Sequence, residues 1–470
     1  MANNWKEYTI DELQAPVKGA IAMGPFGSRI KAENFVTEGV PIIKGAQLHG
    51  AYVLDEGFDY LTAEKAEELK SAQAVRGDLV ITHRGTIGQV SLIPENSKYE
   101  KYIVSQSQLK VSLDHTKVNP YFINYFFRSH IGQHRLLANA SQVGVPAIAK
   151  ASTSVKAILV PCPSLDEQQQ IVKHLKTIDE KIELNRQINE TLEAMAQALF
   201  KSWFVDFDPV IDNALLAGKA IPEPLKQRAE MRQAQLDSGK AKTNSEINDL
   251  FPREFEFTEE LGWIPRGWEV SKIEKEYETV GGGTPSTKNP DFWEDGDIHW
   301  TTPKDLSGKQ SKILLDTDRK ITELGLAKIS SGLLPVNTVL MSSRAPVGYL
   351  ALAKIPVAIN QGYIAFKCNK TLTSEYAIQW AESEMAQIKQ RAGGTTFSEI
   401  SKRNFRDIDI LVPSSELVER YSEAVKSIYD KVTANEKQSN TLANLRDTLL
   451  PKLMSGELRI PDAEKLVADI

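Results

Sequence analysis

The sequence predicts an α+β protein in which two mixed α/β domains alternate with two long antiparallel coiled-coil helices, related by an internal pseudo-twofold repeat. Three observations carry this prediction. Apolar residues follow a heptad pattern near the middle of the chain, a second heptad pattern lies near the C-terminus, and shared motifs recur in the segments before them. The chain has 470 residues, a length that suggests several domains.

The first heptad stretch lies between about Asp166 and Trp203. Its apolar residues recur in steps of three and four, as a coiled-coil seam requires: Ile171, Leu175, Ile178, Ile182, Leu192, Ala196, Leu199 and Trp203. The second stretch repeats this seam 250 positions later, with Tyr421, Val425, Ile428, Val432, Leu442, Leu449 and Leu453. Polar residues interrupt both seams in the middle, Asn185 and Asn189 in the first and Asn435 and Ser439 in the second. We therefore expect the two helices to pair with each other.

The sequence permits either orientation of this pair. An antiparallel pair places Asn185 opposite Ser439 and Asn189 opposite Asn435, whereas a parallel pair matches Asn185 with Asn435. We favour the antiparallel pair because it sends the two domains to opposite ends of the helices and gives the chain a pseudo-twofold axis.

The segments before the helices repeat each other at a slowly drifting offset. The matched pairs are Gly24 and Gly282, Ser28 and Ser286, Val40 and Ile298, Arg84 and Arg344, Gln106 and Gln361, and Ile148 and Ile400. Small insertions and deletions in loops explain the drift. We predict five regions: domain 1 at 1–165, a central helix at 166–205, a linker with a short helix at 206–259, domain 2 at 260–413, and a distal helix with a C-terminal tail at 414–470.

Composition is that of an ordinary globular protein, with 41% apolar and 25% charged residues. Two cysteines are too few for a disulfide framework, no apolar run approaches the ~20 residues of a membrane span, and the N-terminus has no signal-peptide core. We therefore expect a cytoplasmic protein without membrane contact. The net charge is −6, yet residues 1–165 carry 17 Lys and Arg against 15 Asp and Glu, so any polyanion is expected at the domains.

Several motifs at the helices and their junctions resemble one known family. They are the residues 161–172 (PCPSLDEQQQIV), 198–209 (ALFKSWFVDFDP), 249–252 (DLFP), 261–270 (LGWIPRGWEV) and 449–458 (LLPKLMSGEL). Together these motifs resemble the specificity subunits of type I restriction–modification systems. Through the internal repeat the resemblance extends over nearly the whole chain.

This resemblance implies a fold and a set of partners. It implies two target-recognition domains that each read one half of a split double-stranded DNA site, with the helices setting the spacing. It also implies two methyltransferase subunits as partners, which bind S-adenosylmethionine, and two restriction (motor–nuclease) subunits in the full complex. The chain itself is then expected to bind no cofactor and to have no active site.

The residues agree with that expectation. The sequence contains no Walker phosphate loop, no Gly-x-Gly-x-x-Gly and no His-Glu-x-x-His. The glycines at 281–283 could suggest a phosphate-binding loop, but the segment lacks the lysine that such a loop requires. His130 and His134 have the spacing of two metal ligands on one helix face, but no nearby carboxylate or thiol completes a site, so we interpret them as a surface pair.

Base reading requires exposed amides, hydroxyls and guanidiniums on loops that a rigid core holds. Arg84 and Arg344, each after an apolar run, are the best candidates, although both are also suited to a structural ion pair. The other candidates are loop residues with polar side chains or with glycine's close backbone approach: Ser28, Arg29, Lys31, Gln106, Ser141, Gln142, Gly144, Thr287, Lys288, Gln361, Arg391, Gly393, Gly394 and Thr395. For each of these the alternative is a solvated loop residue.

Two other functions stay open from the residues alone. A non-catalytic coiled-coil scaffold with two protein-binding domains has the same architecture. A single-chain methyltransferase or hydrolase is the enzyme alternative, and the lack of a cofactor motif disfavours it.

Overall fold

The computed structural model describes residues 5–25, 29–141, 144–239, 245–309, 311–394 and 398–460. By its internal contacts the chain forms two compact units, residues 1–182 with 440–470, and residues 183–439. Each unit contains one mixed α/β domain together with part of each of two long helices, Leu165–Phe200 and Ser415–Ser455. A short π-helical stretch, Lys201–Val205, continues the first long helix.

Domain 1 is built on two sheets. The strands of the five-stranded sheet are, in spatial order, Phe35–Val36, Asp59–Leu61, Val40–Ile43, Lys101–Val104 and Gln73–Val75, and those of the four-stranded sheet are Ile21–Met23, Gln108–Val111, Leu79–Thr82 and Val90–Leu92. Two strand pairs complete it, Lys6–Thr9 with Leu159–Cys162 and Ala140–Ser141 with Ala147–Ile148. Its α-helices are Ile10–Leu13, Ala63–Glu68, Pro120–Arg128, His130–Leu137 and Ala151–Lys156.

Domain 2 repeats this plan. Its five-stranded sheet has the order Glu278–Val280, Tyr363–Lys367, Val339–Ser342, Leu350–Ala353 and Ile313–Leu314, and its three-stranded sheet the order Arg319–Ile321, Ile298–Thr301 and Ala358–Ile359. Strand Glu269–Lys272 pairs with Asp409–Val412. Its α-helices are Ile273–Glu276, Pro303–Leu306, Glu323–Leu326, Ser374–Ser383, Met385–Gln390 and Lys402–Arg406.

The strands Leu79–Thr82 in domain 1 and Val339–Ser342 in domain 2 lie inside their sheets and show why the two domains share this plan. In domain 1, Leu79 and Ile81 point into one hydrophobic core while Val80 points into another. In domain 2, Val339 and Met341 enter one core and Leu340 the other. A strand buried on both faces is uniformly apolar, which is the pattern that both segments have. The internal repeat is therefore confirmed.

The long helices run antiparallel, as the contacts within the second unit show. In the first unit, Arg446 Nη1 lies 2.8 Å from Asp179 Oδ1. In the second, Asn185 Nδ2 lies 3.2 Å from Ser439 Oγ, and Phe200 packs on Tyr421 with ring centroids 5.9 Å apart. Positions rise along one helix as they fall along the other, so the expected antiparallel orientation is confirmed.

The residues that we predicted to pair the helices lie on the inner faces of the helices. Buried among them are Ile171, Leu175, Ile178, Asn185, Asn189, Val425, Val432, Asn435 and Leu449. Partly buried and packed against the cores are Ile182, Leu192, Leu199, Ile428 and Leu442. Ser439 is partly exposed at the polar middle.

A buried hydrogen bond between side chains is among the contacts that attach each domain to a long helix. In the first unit, Tyr125 donates through its hydroxyl to Asp179, at 2.7 Å. In the second, the Gln379 amide donates to the hydroxyl of Tyr429, at 2.8 Å. Asp179 and Tyr429 are 250 positions apart, so the repeat preserves the attachment point while the chemistry differs.

The segment 206–259 is more than the predicted linker with a short helix. It contains the helices Asp208–Leu216, Lys226–Asp237 and Ser245–Asn248 and the strand Phe255–Thr258, which pairs with Gly262–Pro265 just beyond the segment. Apolar residues of this segment, among them Val210 and Ile211, are fully buried in the core of the second unit. Bidentate ion pairing of Arg228 with Asp208, at 2.7 Å for both bonds, joins two of the helices. Ion pairs of this kind produce no periodic pattern of apolar residues, so the sequence pattern did not indicate that these helices pack together.

Over the described ranges, none of the helices is both long enough and apolar enough to span a membrane.

Candidate nucleic-acid interface

In domain 1, backbone hydrogen bonds bring three loops together at one end of the four-stranded sheet. The His83 amide donates to Ser107 O at 3.0 Å, and the Ile148 amide donates to His83 O at 2.9 Å. The Gly85 amide donates to Pro146 O at 2.8 Å. The loop after strand Leu79–Thr82 is thereby fixed between its two neighbours.

Arg84 stands at the centre of this loop cluster and is exposed. No hydrogen bond or ion pair joins its guanidinium to any residue in the described ranges. The neighbouring His83 is buried, and burial lowers the pKa of its imidazole below the ordinary value, so the ring is neutral at neutral pH. A depression of about 480 Å³ beside Arg84 is lined by Met23, His83, Val145, Ala147, Ile148, Lys150 and Ala151.

Domain 2 builds a similar cluster with two matching backbone bonds. The Ser343 amide donates to Gly362 O at 2.7 Å, and the Ile400 amide donates to Ser343 O at 3.0 Å. The Thr284 hydroxyl donates to Gln361 Oε1 at 2.6 Å. This bond adds the glycine-rich loop, residues 281–284, to the cluster. Four segments, near residues 284, 343, 361 and 400, therefore form one loop surface.

Arg344 occupies the position of Arg84 in this second cluster, but its surroundings differ. Its Nη1 lies 3.9 Å from Glu399 Oε2, and the two side chains are 38% and 48% exposed. An exposed ion pair of this length contributes ~0–1 kcal/mol to stability. The contact is therefore weak enough for Arg344 to exchange Glu399 for another acceptor.

Two glycines hold the outer loops against the sheets. A Cβ atom on Gly24 would overlap the backbone carbonyl of Ser105, and one on Gly282 would overlap that of Ile359. Any side chain at either position would push the loop away from the strand. The sequence match between Gly24 and Gly282 therefore marks a position at which the backbone of the loop lies close to a neighbouring backbone carbonyl in both domains.

The remaining predicted residues fall into three groups. The exposed residues are Arg29, Gln106, Ser141, Gly144, Thr287, Lys288, Gln361, Gly393 and Gly394, of which Ser141 lies in the short strand Ala140–Ser141. Lys31 forms an ion pair with Glu33 at 3.6 Å, and Arg391 with Asp407 at 3.4 Å, so both have protein partners. Ser28, Gln142 and Thr395 lie outside the described residues. All of these residues stay predictions as DNA contacts.

One residue of the first cluster escaped the sequence analysis. Lys150 lines the depression beside Arg84. Its counterpart is Lys402, at the same offset of 252 that relates Ile148 to Ile400. The sequence repeat, continued two residues beyond Ile148 and Ile400, pairs Lys150 with Lys402.

Comparison with known proteins gives one family. A family model described as the type I restriction modification DNA specificity domain matches residues 4–194 and 265–444. The HindI specificity subunit of Haemophilus influenzae, a type I restriction enzyme subunit, is 28% identical over 80% of this chain and 87% of its own length. The MjaIX specificity subunit of Methanocaldococcus jannaschii is 36% identical over 41% of this chain and 45% of its own length.

The fold comparison agrees. The crystal structure of the type I restriction–modification S subunit from M. genitalium superposes with a TM-score of 0.53 at 17% identity, over 96% of both chains. That likeness concerns the fold, while the family model covers well over half of this chain in two blocks, one for each repeat. The chain belongs to the family of type I restriction–modification DNA specificity proteins.

Proposed function

We propose that this chain is the specificity subunit of a type I restriction–modification enzyme and that each domain reads one half of a bipartite DNA site. The observation that carries this proposal is the duplicated loop cluster. The same pair of backbone hydrogen bonds, through His83 in one domain and Ser343 in the other, presents an arginine at the same point. Two similar but non-identical reading surfaces suit two different half-sites.

The chemistry of each surface fits base recognition. A guanidinium offers a planar fork of donors that matches O6 and N7 of guanine in the major groove. Exposed amides and hydroxyls such as Gln106 and Thr287 suit other base edges or phosphates. The rigid sheets beneath the loops keep these groups in place, which limits the entropy lost on binding.

The proposed subunit is non-catalytic and acts through its partners. Two methyltransferase subunits would bind S-adenosylmethionine and modify adenine, and two restriction subunits would join in the full complex, all in the cytoplasm. The absence of cofactor motifs from the sequence and the names of the relatives support this division of labour.

The test is sequencing of methylated DNA from cells that express the chain with its methyltransferase subunits. A variant whose residues 260–413 are replaced by the matching domain of another family member should change one half of the methylated site and leave the other half unchanged. Absence of any new methylation, together with failure of the purified complex to bind duplex DNA, would favour the protein scaffold instead.

A further inference from the structure

Lys150 has an unusual position in domain 1. It follows the strand Ala147–Ile148 and precedes the helix Ala151–Lys156, with φ 45° and ψ 52°. This is the left-handed region, which is costly for a residue that has a Cβ atom. Its side chain is exposed and lines the depression beside Arg84.

Lys402 holds the same place in domain 2. Ile400 donates to Ser343 O as Ile148 donates to His83 O, and two residues later Lys402 begins the helix Lys402–Arg406. Its Nζ reaches to 3.3 Å from the position that a Cβ atom on Gly281 would take, so the ammonium lies over the glycine-rich loop.

In the described ranges no carboxylate lies within ion-pair distance of Lys150 or Lys402. The basic residue that ends each of these helices is, by contrast, engaged. Lys156 lies 3.0 Å from Asp11, and Arg406 donates to Thr279 Oγ1 at 2.7 Å. The start of each helix, next to the loop that carries Arg84 or Arg344, therefore holds an ammonium without a carboxylate partner among the described residues.

The backbone of Lys150 adds an independent argument. Glycine or asparagine would occupy the left-handed conformation at lower cost. Strained residues of this kind concentrate at functional sites, where the strain is tolerated because the side chain is needed. Glycine would avoid the strain but has no side chain, so we attribute the strain at this position to a need for the lysine ammonium.

We propose that Lys150 and Lys402 each bind a backbone phosphate of DNA and hold the neighbouring arginine loop, with Arg84 or Arg344, against the duplex. This inference rests on the proposed function of the chain. A lysine ammonium is a point charge without the fork of a guanidinium, so it suits a phosphate better than a base edge. The two lysines contribute affinity that is independent of sequence, and the loops contribute selectivity.

The test measures DNA binding by the full chain in complex with its methyltransferase subunits. The probes are a duplex with the methylated site and a duplex of scrambled sequence, over a range of salt concentrations. For Lys150→Ala and Lys402→Ala we expect binding to both duplexes to weaken roughly five-fold near ~0.15 M salt, and the slope of log affinity against log salt to become shallower by about 0.9 for each substitution. Lys156→Ala, which removes a paired lysine from the helix that follows Lys150, is the matched control and should leave the slope unchanged.

Lys150→Gly separates binding from folding. It removes the ammonium and relieves the left-handed strain, so its thermal midpoint should equal or exceed that of the wild type while its binding to both duplexes weakens. An unchanged salt slope in the lysine variants would overturn the phosphate assignment, as would a changed methylated sequence. If the wild-type complex binds neither duplex, the proposed function fails and this inference with it.

Discussion

The Asn435 side-chain amide donates a 2.8 Å hydrogen bond to Oδ1 of Asn189 in the middle of the antiparallel helix pair. Both residues are only 4% exposed. The Asn189 amide donates in turn to Glu436 Oε1 at 3.0 Å. A buried polar layer of this kind fixes register and orientation in coiled coils at some cost in stability, because any other alignment leaves buried amides without partners.

Removing one member of this layer should be costly. Asn435→Ala leaves Asn189 Oδ1 buried without its donor, so we expect the free energy of unfolding to fall by ~1–3 kcal/mol. Urea denaturation of the full chain measures the change. Lys426→Ala, on the exposed face of the same helix, is the control and should be nearly neutral. A negligible effect of Asn435→Ala would show that water satisfies Asn189 instead.

Replacing both asparagines should have the opposite effect on stability. Asn189→Leu with Asn435→Leu leaves no unsatisfied amide and extends the apolar seam, so the midpoint should match or exceed that of the wild type. The register should then be less well defined, and size-exclusion chromatography should detect alternative assemblies. A double variant as unstable as Asn435→Ala would mean that the layer stabilises through more than its hydrogen bonds.

The two arginines should act on different half-sites. Arg84→Ala should weaken binding to DNA by ~1–3 kcal/mol if its guanidinium contacts a base in two places, and the loss should disappear when the first half-site is already mismatched. Arg344→Ala should behave in the same way toward the second half-site. Competition binding with half-site variants measures both effects.

Glu399→Gln distinguishes recognition from structure at Arg344. It removes the 3.9 Å ion pair but keeps the arginine. We expect this variant to bind DNA at least as well as the wild type, because it frees the guanidinium. Equal losses for Glu399→Gln and Arg344→Ala would identify the arginine as a structural residue.

Much of the architecture was predictable because its signals are local. A seam is visible in the chain as a heptad period, and its polar interruption shows at Asn185, Asn189, Asn435 and Ser439. The repeat followed from ordered pairs such as Gly24 with Gly282, which the structure explains by close backbone approach. Neither signal requires knowledge of distant contacts.

The less predictable features depend on partners far apart in the sequence. Arg228 joins two helices through Asp208, and Arg391 turns toward Asp407, so their pairing could not be inferred from spacing. The sequence repeat pairs Lys150 with Lys402, but the left-handed backbone of Lys150 and its place beside Arg84 exist only in the folded domain. The sequence thus identified the loops of the candidate site better than the individual side chains.

Lys312 should be critical for the attachment of domain 2 to the first long helix. Its Nζ lies 3.0 Å from Glu193 Oε2 on that helix and 3.0 Å from Glu382 Oε1. Lys312→Met would leave Glu193 largely buried without a cation, at an expected cost of ~3–5 kcal/mol in the free energy of unfolding. Combining Lys312→Met with Glu193→Gln should recover part of the loss in denaturation experiments. Additive losses would show that the pair is not coupled.

The same cluster predicts an alkaline dependence of stability. Burial alone would lower the pKa of Lys312, yet the carboxylates of Glu193 and Glu382 raise it above its ordinary value. A raised lysine pKa stabilises the folded state below the unfolded-state pKa of ~10.4, and the gain is lost as the pH rises through the folded-state value. The wild type should therefore lose stability above about pH 10 more steeply than Lys312→Met with Glu193→Gln. Parallel profiles in thermal unfolding would contradict the assignment.

The last prediction concerns the proposed role of the helices in setting the spacing between half-sites. An insertion beyond Trp203 would disturb packing, because Trp203 is buried against Phe251 and Tyr421 with ring centroids 5.2 and 5.8 Å away. A better variant adds one apolar-patterned heptad to each helix, after Arg186 and after Lys437. Asn185 would still face Ser439, and Asn189 would still face Asn435.

Seven residues lengthen each helix by about 10 Å at ~1.5 Å per residue and keep the seam on the same face. At ~3.4 Å for each base pair, the unread spacer in the methylated site should grow by about three base pairs, with both half-sites unchanged. Insertion of the heptad into only one helix is the control and should abolish methylation, because it breaks the register. Sequencing of methylated DNA measures the outcome. An unchanged spacer in the double insertion would mean that the helices do not set the distance.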